Sequence, residues 1–275
     1  MLVTLHEVLK DAQTKKYAVG LFNTVNLEMA KGVLAAAQEA RSPVIIGTAE
    51  VLLPAASLQE LAPMLRDMAE RASVPVVLHF DHGLTEAKVM EAIDLGFTSV
   101  MYDCSTMSEE KNTEEVARLV SYAHRKGVTV EGELGHVGTA DGGDESVYTQ
   151  PEEALAFAES TGVDALAVAI GTAHGAYKSA PKLQLALLQK IAAAVPAPLV
   201  LHGGSGLSDQ DFRSVIERGI AKVNIFTDIN TAAARAAHDA YADSKGMTDV
   251  MPRMVEAVKA EVLKKMRVFG SCARA

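Results

Sequence analysis

The chain has 275 residues, is 49% hydrophobic and carries a formal net charge of −9. The negative balance argues against broad binding to nucleic acid or anionic membrane, which need concentrated basic surface. No apolar run approaches the roughly 20 residues needed to span a bilayer, and the first residues lack a cationic stretch followed by a long apolar one. A single domain over 1–275 in the cytoplasm is the expectation, since one α/β barrel takes about 250 residues. The two cysteines, Cys104 and Cys272, make neither a disulfide framework nor a CxxC pair.

In chain order, residues 4–12 read as a short helix. The run 17–23 reads as a strand ending on Asn23. Asn26 then caps a helix over 27–39. A buried strand at 43–48 precedes a Leu-, Ala- and Met-rich helix at 57–72. Residues 75–83 form the third strand, an apolar run that stops on His79, Asp81, His82 and Gly83. Such groups are costly at a buried strand end unless paired or bound. Helix 85–95 stops at Gly96, strand 98–103 ends on Asp103, and helix 108–126 follows. Strand 128–133 carries Glu131 and Glu133.

A polar, Gly-rich stretch at 135–150 reads as a mobile surface loop. Its length favours a functional role. Helix 151–161, strand 164–170, helix 183–195 and strand 198–202 come next, with His174 and His202 beside glycines. Gly203-Gly-Ser-Gly206 leads into helix 208–218, strand 221–226 opens onto Thr227, and 229–269 reads as helix. Short apolar strands alternate with helices about eight times. We therefore expect a (β/α)8 TIM barrel with additional C-terminal helices. An open doubly wound sheet fits less well, because polar residues follow nearly every strand.

In such a barrel the strand ends gather at one mouth. Three histidines from separate strand ends suit zinc, with an open position for substrate. One histidine alone reads as a hydrogen-bonded core residue, and three beside glycines do not. His79 alternates with Asp81, so it points to a different face from Phe80 and His82 and reads as support rather than ligand. The GGSG turn and the following helix offer backbone N–H groups to a phosphate.

At this point the residues resemble a known family. His79-Phe-Asp-His-Gly83, Glu131-Gly-Glu-Leu-Gly135, Ala169-Ile-Gly-Thr-Ala-His-Gly175, Leu201-His-Gly-Gly-Ser205 and Lys222-Val-Asn-Ile-Phe-Thr-Asp228 are similar to motifs of the class II, zinc-dependent ketose-bisphosphate aldolases. The closing Lys265-Met-Arg-Val-Phe-Gly-Ser271 is also similar, so the resemblance covers essentially the whole chain.

The resemblance implies that His82, His174 and His202 hold one zinc ion, with Glu133 able to approach it. It implies that Asp81 is the proton donor to the aldehyde oxygen. Asn23 would touch the substrate. Gly175, Gly203, Gly204 and Ser205, together with Asn224, Ile225, Phe226 and Thr227, would hold dihydroxyacetone phosphate. A monovalent cation near this phosphate is common in the family. The implied reaction is reversible cleavage of fructose or tagatose 1,6-bisphosphate to dihydroxyacetone phosphate and glyceraldehyde 3-phosphate.

Two departures from the family stand out. The loop base is usually a glutamate, and the matching position here is Asp141, with Glu145 nearby. Ala49 falls where many members carry a serine. A second reading within the same chemistry is an aldolase for another phosphorylated ketose or a deoxy sugar acid. A third is a non-catalytic sugar-phosphate-binding subunit, which would not need Asp81. The lysines Lys178 and Lys222 need no buried catalytic role, which weighs against a Schiff-base route. A homo-oligomer, dimer or tetramer, is expected, because 229–269 suits a packed interface.

Overall fold

The structure is a computed structural model that describes residues 1–140, 147–175 and 177–275. Nine strands form one sheet: β1 (Leu2–Val3), β2 (Val19–Asn23), β3 (Val44–Ala49), β4 (Val76–Gly83), β5 (Ser99–Tyr102), β6 (Thr129–Leu134), β7 (Ala165–Val168), β8 (Leu199–Leu201) and β9 (Ile220–Ile225). The helices are α1 (Leu5–Lys15), α2 (Leu27–Ala40), α3 (Leu58–Arg71), α4 (Glu86–Asp94), α5 (Glu109–Arg125), α6 (Pro151–Thr161), α7 (Leu185–Ala194), α8 (Asp209–Glu217), α9 (Thr227–Tyr241) and α10 (Met247–Phe269).

Strands pair in the order β4-β3-β2-β9-β8-β7-β6-β5, and β5 returns to β4, closing a ring of eight parallel strands. This is the (β/α)8 barrel. Strand β1 adds beside β4 below it, with Leu2 opposite Val76. The strands read as continuous apolar runs because both faces are covered. Outward side chains such as Phe22, Ile46, Phe80 and Val100 pack under the helices.

The barrel interior has two storeys. Its lower storey is apolar: Val19, Leu21, Ile45, Val77, Ala165, Ala167, Val200 and Ala221 meet Leu5, Val8, Leu9 and Ala12 of α1. Helix α1 thus seals the N-terminal end of the barrel. Above it lie buried His79, Ser99, Glu131 and Lys222. The sheet register sets this layer, with Ser99 opposite His79 and Thr129 opposite Ser99.

Several boundaries differ from the sequence expectation. The expected helix 229–269 is two helices, α9 and α10, parted by residues 242–246, and Gly246 there has φ of 144°. A single 3-10 turn, Glu50–Leu52, follows β3. Helix α10 lies across α2, where a Cβ on Gly32 would come within 2.7 Å of Val258. The stretch 135–150, expected as a mobile loop, is anchored on both sides of its undescribed middle. His136 and Val147 exchange backbone hydrogen bonds of 2.8 and 2.9 Å, and the Thr149 hydroxyl donates to the Leu134 carbonyl.

Candidate active site

At the end of β4, alternation would point Asp81 and His82 to opposite faces of the strand. The β4–β5 register shifts between Phe80 and Gly83, and His82 adopts φ of 41°. This bulge turns the His82 ring into the mouth beside Asp81. His202 follows β8 directly, and His174 lies beyond β7. The three rings converge, with centroids 4.8 Å apart for His82 and His174 and 4.4 Å for His82 and His202. Their ligand atoms lie within 4.8 Å of one another, so the three can hold a metal ion.

Each hydrogen-bonded ring is oriented from behind. Asp103 Oδ2 lies 2.8 Å from His82 Nδ1, and Glu131 Oε1 lies 2.8 Å from His202 Nε2. Each carboxylate favours a proton on the nitrogen it faces, leaving the other nitrogen to point inward. The inward atoms, His82 Nε2 and His202 Nδ1, are only 2.6 Å apart. Two lone pairs cannot rest that close without a proton or a cation between them. His174 Nε2 and Glu133 Oε2 are both buried without a hydrogen-bond partner. These orphaned donor atoms and their imidazole chemistry fit a zinc-type ion better than a hard oxygen-seeking one.

The surroundings also favour a cation. Burial would push the His82 imidazolium down, but Asp81, Asp103 and Glu133 outweigh it and hold it up at about 10. Burial, with His82 and His202 as neighbours, takes His174 down to about 3. Burial and the facing Asp103 raise the Glu133 carboxyl, whose Oε1 accepts from the Val137 N–H at 3.1 Å. Glu133 Oε2 lies 3.6 Å from His202 Nδ1.

Asp81 is held by two amides. Asn23 Nδ2 donates to Oδ2 at 2.7 Å, and Asn224 Nδ2 donates to Oδ1 at 3.0 Å. Burial would raise the Asp81 carboxyl, but His82, Lys222 and His202 keep it well below the usual carboxylate range. A second cluster, His79, Asp81 and Glu131, lies deeper. Its cation is already present: Lys222 Nζ is 2.8 Å from Glu131 Oε2 and 3.1 Å from Oε1. His79 donates to or accepts from Ser99 Oγ through Nδ1 at 2.7 Å, and burial with Lys222 nearby takes its pKa down to about 3. It sits behind the histidine cluster as support, consistent with its strand parity.

Above these groups opens a cavity of about 400 Å³, lined by Asn23, Asp81, His82, His174, Gly175 and the turns 203–205 and 224–227. Gly203 has φ of 66°, and a Cβ there would lie 2.3 Å from the Ala173 carbonyl oxygen. Only glycine lets the turn after β8 approach the His174 segment that closely. Ser205 Oγ accepts from the backbone N–H groups of Phe226 and Asp228 at 3.2 and 3.4 Å. The helix that begins on this wall is α9, at Thr227. Helix α8 closes its own N-terminus in a capping box between Ser208 and Asp211. The turn, not the α8 end, therefore faces the cavity.

The sequence reading therefore finds its histidines, Asp81, Glu133, Asn23 and both turns at one mouth. Asp141 and Glu145 lie outside the described residues. Two residues to which it gives no place in the site are here. His136 lines the cavity and contacts Ser105 Oγ at 3.0 Å, and Ser105 in turn donates to Asp103 Oδ1 at 2.7 Å. Lys222 is fully buried. The shared parity of Lys222 and Asn224 on one strand was the available signal for it.

Fold and site together define a barrel with a histidine-rich candidate metal centre at its C-terminal mouth. The family described as fructose-bisphosphate aldolase class-II matches residues 3–274. A fructose-bisphosphate aldolase of Geobacillus stearothermophilus is 40% identical, over 100% of this chain and 99% of that one. The crystal structure of the YdjI aldolase from Escherichia coli superposes with a TM-score of 0.90 at 37% identity, covering 100% of both chains. A Campylobacter jejuni fructose-bisphosphate aldolase, 22% identical with a TM-score of 0.82 over 98% of this chain and 96% of that one, shares the fold. The chain belongs to the class-II fructose-bisphosphate aldolase family. It is an aldolase, a carbon–carbon lyase of a metal-dependent class.

Proposed function

We propose that the protein is a zinc-dependent aldolase. It cleaves fructose or tagatose 1,6-bisphosphate reversibly to dihydroxyacetone phosphate and glyceraldehyde 3-phosphate in the cytoplasm. The observation that carries the metal reading is the 2.6 Å approach of His82 Nε2 to His202 Nδ1, with both far nitrogens turned to carboxylates. His82, His174 and His202 would hold the ion, and Glu133 is close enough to approach it. Bound there, zinc supplies a Lewis acid that offsets the negative charge developing on the donor half's oxygens.

The chain's own groups do the rest. In cleavage, ionised Asp81 takes the proton of the hydroxyl whose carbon becomes the aldehyde; in condensation it returns that proton. Asn23 and Asn224 hold its two oxygens in place for that transfer. Gly175, Gly203, Gly204 and Ser205, with Asn224, Ile225, Phe226 and Thr227, hold the phosphate of dihydroxyacetone phosphate on backbone N–H groups, beside a monovalent cation. The second proton transfer, at the donor carbon, is assigned to Asp141 or Glu145. Lys222 carries an ion pair with Glu131, the opposite of the desolvated neutral amine that a Schiff-base lysine requires.

One observation favours a second reading within the same chemistry. Away from the phosphate turns, the cavity is lined by Ala49, Val51, Leu52, Leu84 and Val137 beside Asp103, His136 and Thr139, and no Lys or Arg lines it among the described residues. That wall suits an aldehyde half without a phosphate. A coupled assay comparing kcat/KM for fructose and tagatose 1,6-bisphosphates against ketose 1-phosphates lacking the second phosphate decides between the two. No cleavage of any of them by zinc-loaded protein would overturn the aldolase assignment of this pocket.

A further inference from the structure

Lys222 does not line the cavity, yet it touches both halves of the chemistry. The side chain is fully buried beneath the mouth. Its ammonium group is 2.8 Å from Asn224 Oδ1, 2.8 Å from Glu131 Oε2 and 3.1 Å from Glu131 Oε1. We propose that Lys222 is a positioning residue that fixes, from below, the orientation of both Asp81 and His202. This rests on the aldolase reading above.

The first branch runs through an amide. A carboxamide presents an oxygen or an NH2 group with nearly the same shape, and its neighbours decide which way it faces. An ammonium can only donate, so Lys222 draws the Asn224 oxygen toward itself. The Asn224 NH2 group is thereby turned up to Asp81 Oδ1, at 3.0 Å. Without Lys222 the amide is free to flip and set an oxygen against the Asp81 carboxylate. That would cost Asp81 one of its two donors.

The second branch runs through a carboxylate. Glu131 is fully buried, and Lys222 Nζ lies against both of its carboxylate oxygens. With Oε2 turned to the ammonium, Glu131 Oε1 faces His202 Nε2 at 2.8 Å. That contact assigns the ring proton to Nε2 and leaves Nδ1 to face the His82 nitrogen. A carboxylate behind a metal-facing histidine commonly fixes its tautomer in this way. One buried cation therefore serves two arms, and neither arm requires it to touch substrate.

The test must separate this role from simple charge balance. Lys222→Met alone strands the Glu131 charge in the interior and is expected to cost folding or metal. The working background is the charge-balanced pair Lys222→Met with Glu131→Gln, in which the glutamine oxygen still accepts from His202. If charge balance were the whole role, this pair would show wild-type kcat. On the positioning account it folds and retains one zinc per chain by atomic absorption. Its kcat falls at least about tenfold, a part of the roughly 100-fold or more that positioned proton transfer supplies, while KM stays within about threefold.

Asn224→Ala should lower kcat in both backgrounds, but by less in the pair than in wild type, because there the amide already lacks its anchor; a fully additive loss would overturn the proposal. If the pair does not fold, Lys222→Gln, whose amide still donates to Glu131, takes its place in the same cycle. Wild-type protein inactive on every ketose phosphate would count against the aldolase reading. Active wild type with an equally active pair would count against Lys222 alone.

Discussion

Asp103 stands behind His82 at 2.8 Å, and it is itself held by the backbone N–H and hydroxyl of Ser105, at 3.1 and 2.7 Å. Burial opposes its charge, but His82 and Ser105 keep the carboxyl well below its usual range. The histidine that leaves the strand with a left-handed backbone is therefore fixed at its far nitrogen. Asp103→Asn should fold normally and bind zinc about 10- to 100-fold more weakly, the usual cost of losing such a partner. Competition against a chromogenic chelator measures it, and unchanged zinc affinity would contradict this role for Asp103.

Chelation should abolish cleavage, and added zinc should restore it. His174→Ala removes the ring whose buried Nε2 lacks a protein partner. We expect it to lose stoichiometric zinc while keeping the wild-type far-UV circular dichroism spectrum. Full activity in protein shown to be metal-free would sink the metal assignment.

Asp81→Ala should retain zinc and lose about 100- to 10,000-fold in kcat, the range attributed to positioned acid–base groups. Borohydride added with substrate should leave no lysine adduct by mass spectrometry. An adduct on Lys222 would reverse the reading of its ion pair as structural.

The alternation of apolar strands and helices made the barrel legible, because the eight barrel strands are buried on both faces and all but β2 have a glycine or proline close before them. What the pattern could not carry was the exception at His82. Strand parity assigns that ring to the outer face beside Phe80, and only the bulge and the positive φ return it to the mouth. Strand β1 is too short to have a period, and the break at 242–246 lacks a proline to mark it. Lys222 is set aside in the sequence because a metal route needs no catalytic lysine, although its position two residues before Asn224 puts both on the inward face. His136 was passed over because it lies in a polar loop, where a histidine has no strand register to locate it.

Alkaline pH should weaken the fold. Burial, with Asp103 adding to it, pushes the Cys104 thiol up to about 12, and burial with the Asp11 hydrogen bond raises the Tyr17 hydroxyl. In the unfolded chain a thiol ionises near about 8.5. Between these values the unfolded state binds fewer protons than the folded one, so stability falls as pH rises. The contribution is complete below the unfolded value and is lost on the way to about 12. Urea midpoints should therefore drop between pH 8 and pH 10.5, both conditions chosen for the test. Ellman's reagent should label partly exposed Cys272 in native protein and reach Cys104 only on unfolding.

The barrel floor predicts its own cost. Leu9 of α1 is fully buried against the lower storey. Leu9→Ala should lose about 2–5 kcal/mol by urea unfolding, as large-to-small core changes do. It should leave kcat near wild type, because the storey above is held by its own hydrogen bonds.

The lip of the cavity has a different construction. A single carboxylate, Glu50, accepts from the backbone N–H groups of Leu84 and Thr85 at 2.7 and 2.9 Å and from the Thr85 hydroxyl at 2.8 Å. It pins the turn carrying Val51 and Leu52 to the start of α4. None of these bonds reaches the histidines. On the proposed reading this turn forms part of the cavity wall on the aldehyde side, so it can be exchanged while the histidine cluster stays where it is. If so, the choice of substrate and the breaking of the bond rest on separate pieces of the chain.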